Sequence, residues 1–433
     1  MPVFATLLAI SFYTNGTYIA NKNHDTLYNS KDFNLGYLTD VYYEGIGLGM
    51  PQGAIVLPVP QSSTNYIVVY MSGEEIESPS GSDYVTGLEL RYSEIDMALD
   101  GGLGGISNDK KKEVLVTDTM TYGQLTACKH ANGRDWWIIS HKYYSNKHYK
   151  FLLTPEGILG PYSQHIGSEY RIGYFGKNVF SPDGSKLAHV GQTDTLDLFS
   201  FDRCTGELSN NISFKIPDSI QCNSCEFSAS GRFLYVATLL NVFQYDMWAN
   251  NIEASVIKVA EYDSVPGFPF WFGLMQLAPD NKIYISTYSG STFLHKIDKP
   301  DSLGIACSLV QSGVLLPSYN SLSLPNFPNY DLGLLQGSPC DTLYLNNINP
   351  QERNAQLRIS PNPAVDWFNI VYETDDDISF VITDGYGREV KRLTLYPWFK
   401  NRIVYVDDLP AGVYLLTLTS QSRKQTMKLI VAK

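Results

Sequence analysis

Six short turn signals, each lying between two strand-like runs, recur through the first two-thirds of the chain at steps close to fifty residues. They are Asn15-Gly16 in FYTNGTYIA, Thr64-Asn65 in SSTNYIVVY, Asn132-Gly133 in KHANGRDWWIIS, Asp183-Gly184 in FSPDGSKLAHV, Ser230-Gly231 in FSASGRFLYVA and Asp280-Asn281 in LAPDNKIYIS. Counted from their last residues (16, 65, 133, 184, 231 and 281), the steps are 49, 68, 51, 47 and 50. Five of the six carry the Asn/Asp/Ser-Gly or Asp-Asn chemistry that tight hairpins require. A period near fifty with alternating strands is the signature of propeller blades of four strands each, and a plain sandwich does not repeat so evenly. A single blade cannot bury both of its faces, so a ring of stacked blades must supply the core.

The one long step contains Ser78 to Lys112, with its run Gly101-Gly102-Leu103-Gly104-Gly105, and is read as a loop insertion. Outer strands are expected at Leu196–Asp202, Asn241–Asp246 and Phe293–Asp298. Composition agrees with an all-β chain: aromatics reach 13%, Tyr alone occurs 30 times, and charged residues are only 18%. Tyr, Thr, Val and Ile suit half-buried pleated strands.

The formal charge of −12 and the lack of a long Lys/Arg run argue against nucleic acid as a partner, because a phosphate backbone needs a basic stripe. No apolar run reaches the roughly 18 residues of a membrane-spanning helix. The six cysteines are scattered, and Cys222-x-x-Cys225 alone does not make a zinc site. Structural disulfides are the expectation for an exported chain, with Cys204 paired to Cys222 or Cys225.

After Gln336 the repeat stops. Residues 337–356 read as a polar linker, and seven compact strand candidates follow in residues 357–433, the pattern of a small immunoglobulin-like β-sandwich. The expected class is therefore all-β: a β-propeller of six blades plus an incomplete seventh over residues 1–336, then the linker, then the sandwich.

The last block resembles the C-terminal sorting domain of the type IX secretion system. The matching stretches are ISPNPAVDWFNIVYE (Ile359–Glu373), VITDGYGREV (Val381–Val390), DLPAGVYLLTL (Asp408–Leu418) and MKLIVAK (Met427–Lys433). The motif residues that carry the resemblance are Pro361, Asn362, Pro363, Asp384, Gly387, Leu409, Pro410, Gly412, Tyr414, Lys428 and Lys433. The repeats resemble WD-repeat-like or YVTN-like propellers, through FSFDRCTGELS (Phe199–Ser209), MQLAPDNKIYIS (Met275–Ser286) and SLPNFPNYDLGLL (Ser323–Leu335). Relatives of that kind are surface or secreted proteins of Bacteroidetes. The resemblance implies a secretion translocon and a sortase-like peptidase as partners, with cleavage between Gly337 and Gln356. It also implies a signal peptide and further strands upstream of Met1, so that the N-terminus is read as truncated and Ser323–Leu335 as the remnant of the seventh blade.

Catalytic motifs are missing. There is no HExxH and no GxSxG, and the glycine-rich run at Gly101 lacks the context of a phosphate cradle. His141 and His148, in HKYYSNKHYKF, are expected on strand and loop surface. The acidic run Asp375-Asp376-Asp377 is read as a solvated turn, with calcium as the alternative. No catalytic, metal or cofactor set is expected. Trp271, Trp136 and Trp137 are the candidate ligand-contacting aromatics, with burial between blades as the alternative. Trp271 stands out because PGFPFWFG marks a loop. Two functions remain: a secreted module that binds a protein or glycan, or a secreted hydrolase with carboxylates at the propeller channel. A closed channel and an aromatic rim would favour the first.

Overall fold

The computed structural model describes residues 11–42, 48–77, 83–169, 176–191, 194–218, 222–263, 270–320, 323–340, 358–360, 362–372, 378–395, 401–419 and 424–432. The chain divides into two compact units, Met1–Leu343 and Tyr344–Lys433.

Among the described residues the first unit holds six antiparallel sheets in chain order. The first is the two-stranded pair Phe12–Thr14 and Ile19–Asn21. The second is built on Ala54–Pro58, Asn65–Met71 and the long strand Asp83–Asp96, which also pairs with Glu74–Glu77, Gly105–Ile106 and Glu113–Met120. The third comprises Thr126–Lys129, Trp136–His141, Lys147–Thr154 and Gly157–His165. Gly176–Phe180, Lys186–Gly191, Thr195–Phe201 and Leu208–Lys215 form the fourth. The fifth holds Cys222–Phe227, Phe233–Thr238, Asn241–Asp246 and Ile257–Glu261, and the sixth Phe272–Leu277, Ile283–Thr287, Ser291–Ile297 and Leu309–Asn320. Each of the six turn signals joins the first strand of its sheet to the second.

The first strands of the third to sixth sheets abut one another in sequence around a common axis. Apolar faces close between neighbouring sheets. Ala188, Val190 and Leu198 pack with Leu234, Val236 and Phe243, and Phe233 and Tyr235 pack with Phe272, Ile283 and Ile285. The fold is thus the propeller that the repeat implies, with the core between blades rather than inside any one of them.

Three expectations change in detail. The insertion after Ser78 is not a loop throughout, because its residues 83–96 form the 14-residue strand at the centre of the second sheet. The strands at Thr195–Phe201, Asn241–Asp246 and Ser291–Ile297 are third strands, and a fourth lies outside each. Ser323–Leu335 forms no strand; it belongs to a strap, residues 323–340, laid against the other blades.

Cys204 pairs with Cys340, Cα to Cα 5.6 Å, and not with Cys222 or Cys225. Those two are buried in the innermost strand of the fifth blade, whereas Cys204 sits on the turn after the third strand of the fourth.

The second unit is a small β-sandwich. Arg358–Ser360, Trp367–Val371 and Asn401–Tyr405 make one sheet, and Glu389–Leu395, Ile378–Thr383, Gly412–Thr419 and Lys424–Val431 the other. Alternation along Ile378–Thr383 and Gly412–Thr419 puts Phe380, Ile382, Leu416 and Leu418 in the core with Phe368 and Leu429.

Candidate functional site

The channel of the propeller is the natural place for chemistry, and its walls are the first strand of each blade. Lys177, on Gly176–Phe180, and Glu226, on Cys222–Phe227, meet there with Nζ 2.6 Å from Oε2 and each side chain 3% exposed. The ammonium also donates to the Met275 carbonyl. A buried pair survives only when each charge finds its partner and its remaining hydrogen bonds, and here both conditions are met.

Beside this pair lies a lock of amides. Gln52 Nε2 donates to the Asn178 carbonyl at 3.0 Å and to Asn326 Oδ1 at 3.2 Å, and Gln52 Oε1 accepts from the Asn178 N–H at 3.0 Å. Asn326 Nδ2 donates to the carbonyls of Ala54 and Leu125 at 3.0 and 2.9 Å. Asn326 belongs to the strap, so the chain fills its own channel. The cavity left between Gln52, Lys177, Gln276, Pro325 and Asn326 measures about 10 Å³, room for a single water at most. Nothing in the sequence pattern marks Lys177, Glu226 or Asn326; they become a set only when separate blades converge.

The tryptophans divide. Trp136 and Trp137 are 0% and 5% exposed and do not line a ligand surface. Trp136 packs edge-on to Tyr330 of the strap, and the Trp137 indole donates to the Arg203 carbonyl at 2.9 Å. Adjacent residues of a strand point to opposite faces, and both faces of a blade are covered, so neither ring is free. Trp271 is half-buried, with its ring centroid 6.3 Å from that of Tyr288. Tyr319, 55% exposed, donates to the Ser289 carbonyl close by at 3.2 Å.

His141 and His148 are not on the surface either. His141, His148 and His189 are at most 1% exposed, with ring centroids 4.7, 4.9 and 6.3 Å apart. His189 comes from the next blade, which is why the local stretch HKYYSNKHYKF could not reveal the cluster. Burial, and for His148 also the neighbouring His189, lowers His148 to about 3; burial lowers His189 to about 4. Among the described residues no group of three or more His, Cys, Asp or Glu side chains is arranged to hold a metal ion. Asp375, Asp376 and Asp377 lie outside the described residues.

In the second unit the motif residues act as fasteners. Asn362 Nδ2 donates to the Lys428 carbonyl at 2.9 Å, and Asn362 Oδ1 accepts from the Ile430 N–H at 2.8 Å. Just past Pro363, Ala364 extends this grip on the last strand: its N–H donates to the Ile430 carbonyl, and its own carbonyl accepts from Ala432. Asp384 Oδ1 accepts from the Tyr386 and Arg388 N–H groups across a turn closed by Gly387 at φ 79°. The Tyr414 hydroxyl donates to the Pro410 carbonyl at 2.8 Å, at the corner where Leu409 is buried and Gly412 opens the strand. Pro361 and Lys433 lie outside the described residues.

Residues 358–432 match the family model described as the secretion system C-terminal sorting domain. The second unit is a type IX sorting domain. Its presence marks the chain for secretion or display at the cell surface, and no helix among the described residues is long and apolar enough to cross a membrane. Among solved structures, a putative 6-phosphogluconolactonase from Bacteroides uniformis is 12% identical, with 94% of this chain and 98% of that one covered at a TM-score of 0.42. One from Bacteroides fragilis is 13% identical, covering 93% and 97% at 0.41. The periplasmic gluconolactonase of Pseudomonas aeruginosa is 14% identical, covering 91% and 98% at 0.37. No curated protein matches the chain.

Proposed function

We propose that the propeller is the cargo of the sorting domain and acts as a binding module for a protein or glycan. The observation that carries this reading is the filled channel. Glu226 is ion-paired to Lys177 and only 3% exposed, which leaves it no access to a substrate.

The ligand surface is then one end of the propeller. Trp271 leads directly into a first strand, Tyr288 lies between a second and a third, and Tyr319 ends a fourth. In an antiparallel blade these three positions share one end, and Tyr144, 40% exposed between two strands of the third blade, lies at the same end. Rings of this kind, Tyr319 and Tyr144 exposed and Trp271 and Tyr288 half-buried, suit stacking against sugar rings or aromatic anchoring of a protein. In this reading the sorting domain is removed by a sortase-like peptidase after passage through the type IX translocon, and the propeller is released or held outside the outer membrane.

Glycan-array and cell-extract capture with the purified chain tests it, with Trp271→Ala as control. Loss of a captured ligand in the variant, with the fold retained, supports the reading. Turnover of a lactone or glycoside that disappears in Glu226→Gln would replace it with the hydrolase.

A further inference from the structure

The strap runs a defined course. At Asn326 it sits where the first strands begin, and the Tyr330 hydroxyl, halfway along one of them, donates to the Val56 carbonyl at 2.7 Å. Asn329 Nδ2 donates to the Pro182 carbonyl at 2.8 Å, in the turn that follows a first strand. Farther out, the Leu335 N–H donates to the Ala131 carbonyl at 2.8 Å. The chain therefore enters the channel at the end that carries Trp271 and emerges at the other. It then follows the seam between the third and fourth blades outward.

At the end of that seam two consecutive residues hold it. Arg203 is 3% exposed and donates to the carbonyls of Lys129, His130 and strap residue Gly333. Cys204 forms the disulfide with Cys340. The turn that carries them is itself pinned to the third blade, since His130 Nε2 lies 2.9 Å from the Cys204 carbonyl. The four remaining cysteines are all buried, and burial pushes the Cys128 thiol to about 12 and those of Cys222, Cys225 and Cys307 upward. Cys204 and Cys340 are only partly buried. A thiol reagent therefore reaches this one pair first.

We infer that Cys204–Cys340 is a redox latch on a strap threaded through the propeller channel, set when the chain enters an oxidising compartment. Closing it removes two protons and two electrons from the two thiols and passes them to a disulfide oxidant, which is reduced to two thiols. Closed, it makes residues 323–340 a fixed part of the propeller and holds Cys340 beside Cys204, at the end opposite Trp271. A cut before Cys340 would leave the sorting domain covalently attached, so productive release requires a cut after it. Open, the strap is held by scattered hydrogen bonds and few apolar anchors, and it frays.

The test uses the full chain refolded with oxidised glutathione. Alkylation in denaturant should modify four cysteines without reductant and six with it. Chymotrypsin should then cut at Tyr330, Leu332, Leu334 or Leu335 roughly tenfold faster once the folded protein is treated with dithiothreitol, because cleavage follows the population of the opened strap. Cys204→Ser with Cys340→Ser should behave as the reduced wild type; if that variant does not fold, the reduced wild-type protein decides. Six alkylated cysteines without reductant, or equal cutting rates in both redox states, would overturn the inference.

Discussion

Lys177 and Glu226 come from neighbouring blades and form their ion pair, 2.6 Å long, almost out of reach of solvent. Removing one partner strands the other. Glu226→Ala is expected to lower stability by about 3–5 kcal/mol, whereas a double change to Lys177→Met and Glu226→Leu costs much less, because no charge is left unpaired. Urea denaturation of the three proteins checks this; equal losses in single and double variants would show that the pair is solvated.

Acid should loosen the propeller before its carboxylates titrate. His148 is lowered to about 3, and His189 and His295 to about 4, each chiefly by burial. The unfolded chain therefore takes up protons first, near pH 6.5, and the folded chain only near 4 and below. Stability is complete above about pH 6.5 and falls as pH drops towards 4, by up to about 1.4 kcal/mol per pH unit for each histidine. Thermal melting between pH 7.5 and 4 measures the slope, and His148→Leu should flatten it.

Two glycines in equivalent turns separate backbone strain from contact with the strap. Gly133 and Gly231 have φ of +68° and +73°, so Ala at either costs about 1–2 kcal/mol for the left-handed conformation alone. A Cβ on Gly231 meets nothing nearer than 3.6 Å, but one on Gly133 would come within 2.6 Å of the Leu334 backbone nitrogen. Gly133→Ala should therefore destabilise more than Gly231→Ala, and it alone should expose the strap to protease.

Asn362→Ala removes both side-chain bonds to the last strand of the sorting domain. Loss of about 1–2 kcal/mol is expected from that unit, read as faster amide exchange at Ile430. In the native host the variant should accumulate inside the cell. Normal export would mean that the fastening of this strand is not what the machinery reads.

Much of the architecture was legible because it is written locally. Hairpin chemistry at Asn132-Gly133 or Asp183-Gly184 depends on neighbouring residues, and strand alternation around Phe380 and Leu416 needs no distant partner. Asn362 and Tyr414 were legible for the same reason, as parts of short motifs. The strap was not. Asn326, Cys340 and Arg203 reach Ala54, Cys204 and Lys129, which lie 272, 136 and 74 positions away in sequence, and no periodicity encodes such a meeting. Trp136 and Trp137 misled because a ring that packs between blades and one that awaits a ligand look alike in sequence.

Threading the channel with the strap also sets the order of assembly. Synthesis makes blade after blade before it makes Asn326 and Cys340, so the piece that fills the axis is nearly the last part of the propeller to exist. The ring cannot reach its finished state until the ribosome has passed it, and a fragment ending at Asn320 would be a wheel without its axle.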